Sequence, residues 1–190
     1  MANVDNPRGF TPVRSLDQNG LVGKIQSYVV AAATTVAIGD PVGLTDGLVV
    51  KAATGVAVLG VVVGVGNESA ITFGGTDGLF NPDDLTRVYA STGESVSVIL
   101  ANNVVFRGQT ATAQAGVVKG VSLDINATQF VDATHNRSQV ELVTNVNGDA
   151  IVTGWPEYNS AAGAVNSTNV PTDAYAELDF IFSSVVFGQS

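Results

Sequence analysis

The chain has 190 residues, 45% of them hydrophobic and 13% charged, which is enough apolar material for a folded body with a real core. Its formal net charge of −9 excludes a nucleic-acid binder, because phosphate contacts need surplus Lys and Arg. With no cysteine, neither disulfides nor a thiolate metal site can hold the fold, which fits assembly in a reducing cytoplasm.

The charge is unevenly spread. Up to Tyr28 there are three cations and two acids; beyond it, five cations face fifteen acids. Residues 1–20 are expected to form an extended N-terminal arm, and residues 21–190 a β-rich body. Pro7 and Pro12 break regular structure in the arm, Gly9 loosens it, and Arg8 and Arg14 flank the large aromatic Phe10. No cationic start and apolar run mark a signal peptide after Met1. The longest apolar stretch, Val56 to Val65, is too short to span a bilayer, so a soluble protein with no membrane partner is expected.

Val, Ala, Thr, Gly, Asn and Ser dominate, which favours strands and tight turns over helices. Ile25 to Ala31 is the first strand expected in the body. Asp40-Pro41 opens a turn, Val42 to Leu44 is short and extended, and Thr45-Asp46-Gly47 signals a hairpin into Leu48 to Lys51. Val56 to Val65 has the unbroken apolarity of a strand buried on both faces, and Gly60, Gly64 and Gly66 point to bulges or close backbone approach. Asn81-Pro82-Asp83-Asp84 has the shape of a helix start, with room for one turn before Val88-Tyr89. Further strands are expected at Ser95 to Leu100, Val104 to Arg107, Val117 to Leu123, Gln139 to Val143 and Ala150 to Thr153. Tyr175 to Phe187 closes the chain, with Tyr175, Glu177, Asp179, Ile181 and Ser183 on one face and Ala176, Leu178, Phe180, Phe182 and Ser184 on the other. The fold class is therefore all-β: a small antiparallel barrel or a jelly-roll-like sandwich, with long loops at Asn67 to Asp84 and Asn159 to Asp173.

The catalytic inventory is thin. The single His135 sits in a polar turn, and no GxSxG elbow accompanies it. Asp83-Asp84 read as acids at a helix start, and Glu177 and Asp179 as the polar face of the last strand. Asp124-Ile-Asn126 and Asn145-Val-Asn147-Gly-Asp149 lack the spaced acids and closing Glu of a calcium loop, so they read as turn chemistry. Catalytic, cofactor and metal residues are all expected to be none.

Three motif groups remain, in this order: Asn6-Pro-Arg-Gly-Phe-Thr-Pro-Val-Arg14; then Gly39-Asp-Pro-Val42 with Val58-Leu-Gly-Val-Val-Val-Gly64; then Asn103-Val-Val-Phe-Arg107. On an acidic, cysteine-free β body this pattern resembles the cement, or decoration, proteins of tailed-bacteriophage capsids. The resemblance implies a structural virion protein, made in the host cytoplasm, that binds the outer capsid surface and clamps neighbouring major capsid subunits. It also implies self-association, with a trimer favoured over a dimer, and no catalysis. Arg8, Phe10, Pro12 and Arg14 are then the expected docking residues, with Phe10 as the aromatic anchor. The competing reading of this segment is an edge strand on the chain's own body. An alternative function is a tail-associated or receptor-binding β protein that recognises host glycans through Trp155 and Tyr158; a small hydrolase built on His135 is a third.

Overall fold

Short β-branched runs separated by turn residues give strands, and the computed structural model contains no helix among the residues it describes: 8–16, 24–65, 89–113, 119–126, 138–144, 147–156 and 174–186. The strands are β1 (Thr11–Ser15), β2 (Ile25–Val29), β3 (Val36–Ala37), β4 (Pro41–Thr45), β5 (Leu48–Lys51), β6 (Gly60–Val65) and β7 (Tyr89–Ala90). They continue with β8 (Ser95–Leu100), β9 (Val104–Gln109), β10 (Ser122–Ile125), β11 (Leu142–Thr144), β12 (Ala150–Gly154) and β13 (Glu177–Phe182). The expected helix start at Asn81 to Asp84, and the two long loops, lie outside the described residues.

Two antiparallel sheets pack face to face. One has six strands in the order β1-β9-β13-β12-β10-β11, the other five in the order β2-β8-β6-β4-β5, and β3 pairs with β7 alone. The architecture is a sandwich, and no sheet among the described residues closes into a barrel. The two edges of the five-stranded sheet do meet, at a single bridge between Val30 and Val49, where the Ala31 N–H donates to the Val49 carbonyl at 2.9 Å.

The sequence pattern explains this curl. Val61, Val63 and Ile99 face the core between the sheets, whereas Val62, Val96 and Val98 face a second cluster with Val30, Val36, Val42 and Val49. Strand β6 is thus buried on both faces, as its unbroken apolarity predicts. It begins later than expected, at Gly60, because Thr54 and Gly55 turn away and Val56 is exposed. A Cβ at Gly60 would strike the Ile99 carbonyl, and the register slips between Val62 and Gly64, so two of the three glycines do serve close approach and a bulge. Between β4 and β5, Asp46 and Gly47 both take positive φ, 51° and 78°, the two-residue turn that a right-twisted hairpin selects.

Strand β13 alternates as read: Ala176, Leu178, Phe180 and Phe182 are buried, and Glu177, Asp179 and Ile181 are half-buried on the opposite face. Its aromatic residues join Phe106 and Phe10 in one cluster, with Phe10 and Phe180 centroids 4.9 Å apart at 73°.

Candidate functional site

The three motif groups meet in space. The Phe10 N–H donates to the Gly39 carbonyl at 2.8 Å, the Gly39 N–H to the Val62 carbonyl at 2.8 Å, and the Val62 N–H to the Asp40 carbonyl at 3.0 Å. From there β1 pairs with β9 along Thr11 to Ser15 and Arg107 to Val104, and the Leu16 N–H reaches the Asn103 carbonyl at 2.7 Å. Gly9 makes the crossing possible. Its φ is +70°, and a Cβ there would collide with the Ser138 hydroxyl and lie 2.6 Å from the Gly39 carbonyl oxygen.

This geometry corrects the expectation of a free arm for the described part of residues 1–20. Phe10 is 1% exposed and belongs to the core between the sheets, so it is not a surface anchor in this fold. The physical reason is simple: burying such a ring on its own body gains roughly 2–3 kcal/mol and needs no partner. Residues Thr11–Ser15 form the edge strand of the six-stranded sheet instead. Pro12 is half-buried in that strand, where its missing N–H is tolerated, and Arg8 and Arg14 remain exposed.

Beneath the crossing, Asp40 is fully buried. Its Oδ2 accepts the Ala37 N–H at 2.8 Å, which ties the turn before Pro41. Burial pushes its carboxyl up to about 6 from the ordinary 3.8, against the opposing pull of the Ser138 hydroxyl, the Ala37 amide and Lys51. Oδ1 has no hydrogen-bond partner among the described residues.

The face of the six-stranded sheet opposite the aromatic cluster carries a polar cleft of about 210 Å³, lined by Arg14, Lys119, Thr153, Gly154, Trp155 and Asp179. Register builds it. Asp179 on β13 lies opposite Arg107 on one side and Gly154 on the other. Arg107 clasps Asp179 with two bonds, Nε to Oδ1 at 2.8 Å and Nη2 to Oδ2 at 3.3 Å. The Thr153 hydroxyl donates to the Asp179 carbonyl at 3.1 Å. At the far rim the Lys119 ammonium stands 5.9 Å from the centroid of the Trp155 ring, within range of a cation–π attraction. Two bulges frame the cleft, one in β1 between Pro12 and Arg14, the other in β12 between Val152 and Gly154. Such irregularities re-aim side chains.

Arg14 and Trp155, read separately in the sequence as members of two rival patches, therefore line one cleft. Tyr158 and His135 lie outside the described residues. Lys119, Arg107 and Thr153 stand in the sequence as members of expected strands, and nothing in their local spacing shows that they gather around one cleft until strand register places them. Asp179 was read as part of a polar face, without its ion pair.

Of the described carboxylates in the two Asn/Asp-rich segments, Asp124 lies in β10 and Asp149 just before β12, and both are taken up by backbone amides. Asp124 Oδ1 accepts the Asn147 and Gly148 N–H groups at 2.9 and 2.6 Å, and Asp149 accepts those of Gly55 and Ile125 at 2.7 and 3.0 Å. No group of three or more His, Cys, Asp or Glu side chains suited to a metal ion occurs among the described residues. No helix among them is long and apolar enough to cross a membrane. No family model, curated protein or solved structure matches the chain.

Proposed function

We propose that this chain is a structural protein of a tailed-phage shell, binding the outer capsid surface and stabilising it by clamping neighbouring major capsid subunits. One observation supports the reading: the motif groups that resemble the cement proteins converge on one junction of backbone hydrogen bonds. Self-association, as a trimer or a dimer, and the absence of catalysis belong to the same proposal. Three linked copies would present three docking faces, and linked sites gain about 10²-fold or more in avidity without better single contacts.

Docking falls to exposed residues. Arg8 and Arg14 remain available beside the edge strand, and a guanidinium can take a capsid carboxylate with two bonds. Deleting residues 1–16 would remove Phe10 from the core along with β1, so loss of coating after that deletion would report unfolding. The informative variant is the double charge reversal Arg8→Glu with Arg14→Glu. Purified protein is mixed with shells that lack it, and occupancy is read by electron cryomicroscopy. The parent should coat at fixed stoichiometry in one symmetric position and the variant should not. Failure of the parent to bind shells overturns the proposal.

The glycan-binding alternative is less well supported by the cleft. Trp155 packs partly against the core, and Lys119 stands over its ring, where a pyranose would stack.

A further inference from the structure

We propose that the cleft between Arg14, Lys119 and Trp155 is a recognition site for an acidic side chain, Asp or Glu, of a partner protein. The inference rests on the reading above only in taking the partner to be a protein.

Charge gives the ligand its sign. Asp179 accepts from Arg107 through both carboxylate oxygens, so the one acid that lines the cleft among the described residues is already matched. Arg14 and Lys119 take part in no ion pair among the described residues, and two cations are left over in a chain whose net charge is −9. An isolated carboxylate or a short acidic peptide gains from this local excess, while a long polyanion such as a nucleic acid would meet the acidic remainder of the surface.

Size narrows the class. At about 210 Å³ the cleft is smaller than the roughly 300–1,000 Å³ of usual small-molecule sites. It suits one side chain and little more. Geometry supplies the rest of the fit: the Arg14 fork can take both carboxylate oxygens, and Lys119 supplies a second charge from the opposite rim.

Trp155 is the only tryptophan of the chain, so its fluorescence reports the cleft directly. The full chain is titrated with an acetylated, amidated tetraglutamate peptide, with the tetraglutamine counterpart, and with glucuronate as a carboxylate on a sugar. Saturable change with tetraglutamate at a Kd of about 1 mM or tighter, and none with tetraglutamine, is expected. Arg14→Gln and Lys119→Gln, both at exposed positions, should each weaken it about 10-fold with unchanged circular dichroism. No saturable response to tetraglutamate overturns the proposal, as does an equal response to tetraglutamine or a tighter one to glucuronate. Peptide binding without shell binding would uphold this site and sink the shell reading; shell binding without any response to the peptide would do the reverse.

Discussion

Phe10 lies on the bare backbone of Gly108: a Cβ added there would come 2.5 Å from the Phe10 ring and 3.3 Å from that of Phe180. The N-terminal strand is held by a ring that fits only because its neighbour strand has no side chain at that point. Phe10→Ala should cost about 3–5 kcal/mol, and Gly108→Ala about 1–3 kcal/mol through overpacking. If the two residues act through one contact, Phe10→Leu should recover part of the Gly108→Ala loss. Urea midpoints of the two single variants and the double variant decide it; strict additivity would contradict the contact.

The strands were legible in the sequence wherever turn residues punctuate alternation, as at Asp46-Gly47 and along β13. Phe10 was misplaced for a physical reason. Its flanks, Arg8 and Arg14, are exposed and its prolines suit an arm, whereas the cavity that receives it is made by Gly108 and Phe180, about a hundred and more residues away. The cleft was half legible. Arg14 and Trp155 stand out as residue types, but strand order alone brings β1 and β12 to the same face, and the Arg107–Asp179 pair depends on register that no local spacing encodes.

Asp149 fastens three segments, because its two oxygens hold the N–H of Gly55 and of Ile125 while its own residue precedes β12. Asp149→Ala leaves both amides without their acceptor and should destabilise by about 2–4 kcal/mol. Asp149→Asn retains one carbonyl oxygen and should cost less. Hydrogen exchange is the direct check: the Ile125 amide should lose protection in the alanine variant, and unchanged protection there would exclude the fastening role.

Asp40 gives stability a pH dependence of unusual sign for a carboxylate. The folded chain keeps a proton on it below about 6, while the unfolded chain releases that proton down to about 3.8. Between these values the folded state binds more protons, so this group's contribution rises as pH falls; above about 6 both states are ionised and the cost of burying the charge is fully present. Asp40→Asn stays neutral throughout. Relative to the parent, it should be most stable near pH 7 and should lose up to about 3 kcal/mol of that advantage as pH falls toward 4. Urea midpoints of both proteins at pH 7 and pH 4.5 test this, with other carboxylates cancelling in the difference. A parent–variant gap that does not move with pH would contradict it.

The Arg107–Asp179 pair is only partly shielded, with side chains 33% and 17% exposed, so its worth lies more in position than in energy. A double-mutant cycle with Arg107→Ala and Asp179→Ala should give a coupling of about 1 kcal/mol that shrinks at high salt. The cleft should respond more strongly than stability does. Without Arg107, Asp179 becomes an unmatched acid between Arg14 and Lys119, and it competes with any incoming carboxylate. Arg107→Ala should therefore weaken tetraglutamate binding, and adding Asp179→Ala should restore it, although the double variant is no more stable than its parent. Restoration of binding without restoration of stability is the signature of electrostatic competition. If both singles and the double weaken binding alike, Asp179 supports the cleft's shape instead.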